Sequence, residues 1–287
     1  MSTKEHSPRV LALTSHIISL NPAHYTVWLF RATTLFALSY SIPDELLWVN
    51  EVALENQKNY QIWHHRQLLI DNLFPSLSPE GIRDLETSER DFMTQMFDMD
   101  AKNYHVWSYR SYLCRKLNMW NDTELRSIES LLQRDIRNNS AWSHRFFVVF
   151  SNPAYTTPDS KATEYDAKIP SEIIDRELEF GKQATFMAPQ NPSPWNYIRG
   201  VLRKGGRELG SLEGFAGEFV KLGEGEGEED VRSSHALDFL ADVWSQKGEV
   251  GKADEALRLL GDRYDRIRKN YWDWRRGLLT DGGGVGK

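Results

Sequence analysis

Six segments of this chain line up on a tryptophan, and that register constrains the fold more than any other feature. They are NPAHYTVWLFR at Trp28, QKNYQIWHHR at Trp63, AKNYHVWSYR at Trp107, IRNNSAWSHR at Trp142, NPSPWNYIR at Trp195 and RKNYWDWRR at Trp272. An arginine follows three residues on in the first four and the last: Arg31, Arg66, Arg110, Arg145 and Arg275. In the fifth it comes one residue later, at Arg199. The tryptophans are 35, 44, 35, 53 and 77 residues apart. Units of about 35–45 residues are the length of two-helix solenoid repeats. The two long intervals leave room for loops and a degenerate unit.

The residues between tryptophans predict a helical hairpin per unit. Each Trp opens an apolar segment of about three turns, and a break follows: Ile42-Pro43-Asp44, Pro75 to Pro79, or Asn121-Asp122-Thr123. A second amphipathic stretch then begins, as over Glu80 to Met99, where Ile82, Leu85, Glu89 and Phe92 recur at helical spacing. Ser78-Pro79-Glu80 reads as an N-cap with proline at the first helical position. Asn59, Asn103 and Asn139 suit the turn into a tryptophan helix. Sustained period-two alternation is absent, so the fold class is all-α.

Residues i and i+3 share a helix face. A Trp there fills the gap between paired helices, burying on the order of 200 Å². The Arg packs its stem beside the ring and turns its fork to carboxylates or helix-end carbonyls of the next unit. Trp28/Arg31, Trp63/Arg66, Trp107/Arg110 and Trp142/Arg145 are therefore read as framework. One array spans 1–280. Residues 204–230, with their glycines and the run GEGEGEED, are expected to be a flexible acidic linker, and 281–287 a disordered tail.

Composition narrows the function classes. The 287 residues carry a net charge of −6, which argues against sequence-independent nucleic-acid binding. Cys114 is the single cysteine, so neither an intramolecular disulfide nor a Cys-rich zinc site can form. MSTKEHSPRV lacks the apolar core of a secretory signal, and the apolar runs are far too short to cross a bilayer. A soluble cytoplasmic protein, without membrane insertion, is expected. His64-His65 are adjacent, so in a helix they diverge by about 100° and cannot chelate together. HExxH, Walker A and GxSxG motifs are absent.

Function is sought in the columns just before the tryptophan. Five residues ahead stand Ala23, Lys58, Lys102, Arg137 and Gln190; three ahead, Tyr25, Tyr60, Tyr104 and Asn139; two ahead, Thr26, Gln61, His105 and Ser140. Equivalent positions of a solenoid stand side by side. The second and third repeats thus gather Lys, Tyr and Gln or His at helix N-termini, which favour anions. That is a reasonable diphosphate site, though from these residues alone the usual reading is a solvated turn lysine and a packing tyrosine.

The ordered series NPAHYTVWLFR, KNYQIWHHR, DAKNYHVWSYR and RNNSAWSHRFFV resembles the α-subunit shared by protein farnesyltransferase and type I protein geranylgeranyltransferase. IRKNYWDWRRGLL is similar to that family's last repeat, and the resemblance is poor over 204–230. It implies a right-handed superhelical crescent of antiparallel hairpins around a β-subunit. That partner would hold zinc, with magnesium accompanying the diphosphate and no cofactor in this chain. Lys58, Tyr104 and His105 then resemble residues that meet the isoprenoid diphosphate. Tyr60 and Asn103 belong to the same mouth, and Gln61 resembles the glutamine that holds the carboxylate of a CaaX protein. The family usually has a further helix ahead of the unit near Pro8; here Met1 lies almost on it. Two other readings share the WxxR framework. One is the Rab geranylgeranyltransferase α-subunit, which does not usually show the KNYQ and KNYH pair; the other is a non-catalytic helical scaffold.

Overall fold

Four of the tryptophan helices begin where an asparagine four residues earlier turns its side chain onto the first free amides. The computed structural model describes residues 5–223 and 229–280, and the chain falls into two compact units, Met1–Glu124 and Leu125–Lys287. In the first unit three hairpins follow one another: α1 (Pro8–Leu20) with α2 (Tyr25–Ala37), α3 (Ile42–Glu55) with α4 (Tyr60–Leu73), and α5 (Pro79–Met99) with α6 (Tyr104–Lys116). The unit boundary falls within α7 (Asp122–Arg134). The second unit continues with α8 (Asn139–Phe150), α9 (Ser171–Met187), α10 (Pro192–Lys204) and the short α11 (Glu213–Gly217). A two-residue antiparallel pair, β1 (Val220–Lys221) with β2 (Asp230–Val231), leads to α12 (Ser234–Gln246), α13 (Val250–Leu259) and α14 (Lys269–Thr280). The all-α repeat fold read from the sequence is what the chain adopts.

The caps explain where the helices start. Asn59, Asn103, Asn138 and Asn191 accept from the amides of Gln61, His105, Ser140 and Ser193, each satisfying an orphan donor. In the fourth repeat the cap is Asn138 and not Asn139, which is already the first helical residue. Ser78 caps α5 through Gly81 N, with Pro79 at the first position.

Each framework arginine is buried on a carboxylate from the following hairpin. Arg31 grips Glu45 with two bonds of 2.7 Å, Arg66 meets Glu89 at 2.5 Å, and Arg110 meets Glu124 at 2.6 Å. Arg145 is bidentate on Glu177 at 2.7 and 3.1 Å. The residue two after the next tryptophan shares the same anion: His65 lies 2.9 Å from Glu45, Tyr109 OH donates to Glu89 at 2.8 Å, and Tyr197 OH to Glu177 at 2.6 Å. These buried trios add little net stability over an apolar core, yet losing one member is costly, so they fix which hairpin follows which. The indoles add a repeated bond to the carbonyl six residues back: Trp28 to Pro22 at 2.7 Å, Trp107 to Ala101 at 3.0 Å and Trp142 to Ile136 at 2.9 Å.

The interval between Trp195 and Trp272 holds the degenerate unit. Ser233 caps α12 and puts its hydroxyl on Pro189 O at 2.6 Å, as the asparagines do in other repeats. Fully buried Leu237 then stands where a tryptophan would. The linker reading of 204–230 fails over 204–223. Phe215 and Phe219 pack on Trp195, while Leu212, Ala216, Phe219 and Val220 are buried, so apolar anchors override the glycines. Residues 224–228 and the tail 281–287 lie outside the described residues. Among those described, no helix is long and apolar enough to cross a membrane.

Candidate functional site

The second and third repeats build the site from two turns of the same design. Ahead of α4, Asn59 N donates to Asn56 O at 3.0 Å, closing a turn that leaves Lys58 exposed at its tip. Ahead of α6, Asp100 Oδ1 accepts from Lys102 N and Asn103 N returns to Asp100 O. The first two helical residues after each cap are Tyr60-Gln61 and Tyr104-His105, so local capping decides which side chains stand at the positive ends of α4 and α6.

Lys58 is 78% exposed, with its ammonium 3.7 Å from Asp100 Oδ2. This contact joins the two turns, and it is loose and solvated, worth about 0–1 kcal/mol. The lysine is thus held near its post and free to swing to a stronger anion. Tyr60 and Tyr104 are 62% and 75% exposed. The His105 ring lies between them, edge-on to both at 6.4 and 5.6 Å. The rings of Tyr60, His105 and Tyr104 are therefore brought together, and Lys58 reaches across to Asp100 in the turn that precedes Tyr104.

Gln61 is half-buried and serves two hollows. It shares an open one of 690 Å³ with Lys58, Tyr60 and Ala23, and a cleft of 240 Å³ with Tyr25, Leu29 and His64. Asn103 differs from the rest. It is buried, and both ends of its amide are used: Oδ1 accepts from His105 N, and Nδ2 donates to Gln57 O, each at 3.0 Å. It positions the site's turns and presents no polar atom to a ligand.

The sequence reading passed over two residues. Tyr25 is 67% exposed in the same column as Tyr60 and lines the Gln61 cleft, a place its column already gave away. His64 and His65 diverge as helical geometry requires. His65 is buried on Glu45, whereas His64 is exposed with its ring against Tyr60. Burial pushes the His65 imidazole below its usual range, and its hydrogen bond to the Glu45 carboxylate only partly offsets this. Its Nδ1 has no partner, which fits a neutral ring donating through Nε2.

A family profile for the protein prenyltransferase alpha subunit repeat matches residues 7–38, 42–73, 87–117, 121–152 and 174–205. The chain belongs to the protein prenyltransferase alpha subunit family. It is 36% identical, over 98% of its length and 86% of the relative's, to the Candida albicans protein farnesyltransferase/geranylgeranyltransferase type-1 subunit alpha. The Dictyostelium discoideum protein of the same description is 31% identical over 98% of this chain and 82% of its own. Among solved structures, a chain of Candida albicans protein geranylgeranyltransferase-I complexed with GGPP superposes with a TM-score of 0.83 at 36% identity. That match covers 96% of this chain and 85% of the other. Lys58 and Tyr60 fall within the matched segment 42–73, and Tyr104 and His105 within 87–117.

Proposed function

We propose that this chain is the alpha subunit of a heterodimeric CaaX protein prenyltransferase, moving farnesyl or geranylgeranyl from its diphosphate to a cysteine near a protein's C-terminus. The observation that carries the reading is the exposed cation and phenols of Lys58, Tyr60 and Tyr104, with the half-buried His105 imidazole among them, at two helix N-termini in a chain related over nearly its whole length to type-1 alpha subunits. The nearby apolar side chains left in water, Leu20, Tyr25 and Met99, fit a surface that a beta subunit covers.

The substrate's thiolate sulfur forms a bond to C1 of the isoprenoid while the C1–O bond breaks, and the electron pair departs on the diphosphate. Zinc bound in the partner subunit would lower the thiol's proton affinity, and magnesium would accompany the diphosphate. This chain meets the charge that grows on the leaving group. Lys58 exchanges its loose contact with Asp100 for the departing oxygen, and Tyr60, Tyr104 and His105 offer hydrogen-bond donors beside it. Once the partner excludes water these interactions strengthen. Gln61, facing the separate cleft toward Tyr25, offers its amide to the peptide carboxylate. Asn103 keeps His105 and the Lys58 turn in register.

The test is single-turnover transfer by the chain co-expressed with a beta subunit. Lys58→Ala should lower the chemical rate about 10²–10³-fold with little change in isoprenoid affinity. Gln61→Ala should weaken peptide binding instead, and Arg137→Ala, in the column of Lys58 two repeats further on, should change neither. A wild-type rate in Lys58→Ala returns that residue to a solvated turn lysine.

A further inference from the structure

We infer that His64 is a positioning residue for the reaction, its ring clamping the Tyr60 phenol against His105 so that the hydroxyl stays aimed at the diphosphate. The inference rests on the function proposed above. The position after the tryptophan is a solvent column: it holds Leu29, His64, Ser108, Ser143, Asn196 and Asp273, all exposed. Small or polar residues fill four of these six places, as a surface position with nothing to do requires. The second repeat alone puts a ring there, and that ring has a partner. His64 lies one helical turn beyond Tyr60, with the planes 5° apart and the centroids at 6.4 Å, an offset stack. From the next repeat the His105 ring meets Tyr60 edge-on at 62°, with centroids 6.4 Å apart.

An exposed tyrosine at the first position of a helix otherwise samples several rotamers, and each unproductive one lowers the fraction of sites ready to react. The stack below and the edge contact beside it remove that freedom. Tyr25 and Tyr104, in the same column, are followed four residues later by Leu29 and Ser108, neither of which can stack. His64 also lines the 240 Å³ cleft with Gln61 and Tyr25. What the position needs is a flat ring and not a charge.

Single-turnover transfer by the heterodimer tests this with His64→Ala, His64→Phe, Tyr60→Ala and the double alanine variant. His64→Ala should slow transfer about three- to tenfold, the range one aromatic pair supplies, and His64→Phe should restore the rate to within about twofold. In the Tyr60→Ala background His64→Ala should cost nothing further, because the ring it positions is gone. The melting temperature of His64→Ala should stay within about 2 °C of wild type, as for an exposed substitution. If Tyr60→Ala itself transfers at the wild-type rate, the diphosphate-mouth reading falls. Should Tyr60→Ala be slow while His64→Ala is normal, or should the two losses multiply, the positioning role alone is overturned. Failure of His64→Phe to rescue a slow His64→Ala would also overturn it.

Discussion

The side-chain amide of Asn103 donates to the backbone carbonyl of Gln57 at 3.0 Å, across 46 residues of sequence. Gln57 precedes Lys58, and the other end of the same amide accepts from His105 N. One buried side chain therefore sets the distance between the turn that carries the lysine and the helix that carries the histidine. Asn59 makes the corresponding link one repeat earlier, capping α4 through Gln61 N and donating to Pro22 O at 2.5 Å. The cap that starts a helix is also the tie that stacks it on the previous repeat.

Asn103→Ala should therefore be doubly harmful. Loss of the cap and of a buried hydrogen bond should cost about 1–3 kcal/mol in chemical denaturation, and isoprenoid diphosphate affinity should fall as the two turns drift. Asn103→Asp should lie between, since its carboxylate still caps α6 but cannot donate to Gln57. Equal stability of all three forms would show that the tie contributes nothing.

Asp100 parks the Lys58 ammonium at 3.7 Å when no other anion is near. Asp100→Asn keeps an oxygen for Lys102 N and removes the competing charge. The single-turnover rate of the heterodimer should rise by about two- to fivefold, the worth of an exposed pair, with isoprenoid affinity little changed, because Lys58 meets charge that grows as the diphosphate leaves. A slower transfer would mean that Asp100 orients Lys58 instead of holding it back.

Arg66 and Glu89 form a buried pair at 2.5 Å, with Tyr109 OH on the second carboxylate oxygen. Glu89→Gln strands the guanidinium in the core and should cost about 3–5 kcal/mol. The double change Arg66→Met with Glu89→Leu should cost less than Glu89→Gln alone, because no charge is left without its counter-ion. Urea unfolding midpoints of the three proteins decide it.

Acid sensitivity should be traceable to Glu45 and His65. Burial alone raises the Glu45 carboxyl, but hydrogen bonds from His65 and Arg31 outweigh it and hold the group below the usual carboxylate range. The buried His65 ring is also lowered. A group whose folded value is depressed contributes stability above its unfolded value and loses it as pH falls toward the folded one. His65 should thus begin to erode stability as pH drops below about 6.5, and Glu45 below about 4.3, each by at most about 1.4 kcal/mol per pH unit. In urea unfolding between pH 7.5 and 5.5, His65→Gln, which can still donate to Glu45, should show a flatter decline than wild type. Parallel declines would place the sensitivity elsewhere.

Much of this was legible in the residues. Tryptophan with arginine at i+3, or i+4 after Trp195, recurring every 35 to 53 residues through Trp195, fixed the helix class and the repeat, because both side chains need a shared face and a neighbour to bury against. Columns ahead of the tryptophan named Lys58, Tyr60, Gln61, Tyr104 and His105, since equivalent positions of stacked units must lie side by side. Capping was legible in kind but slipped by one residue at Asn138, where two asparagines compete for one place.

What the tertiary structure alone decided were pairings between distant segments. No local pattern tells that Glu45, Glu89, Glu124 and Glu177 are buried on framework arginines among 41 acidic residues, or that His65, Tyr109 and Tyr197 share three of them. Nor does it tell that Asn103 is consumed in the backbone rather than offered to a ligand, or that Phe215 and Phe219 order a glycine-rich stretch by reaching Trp195. Helical propensity and capping act over a few residues and can be read along the chain. Desolvation of a charge, and the partner it then requires, depend on what the next hairpin places beside it.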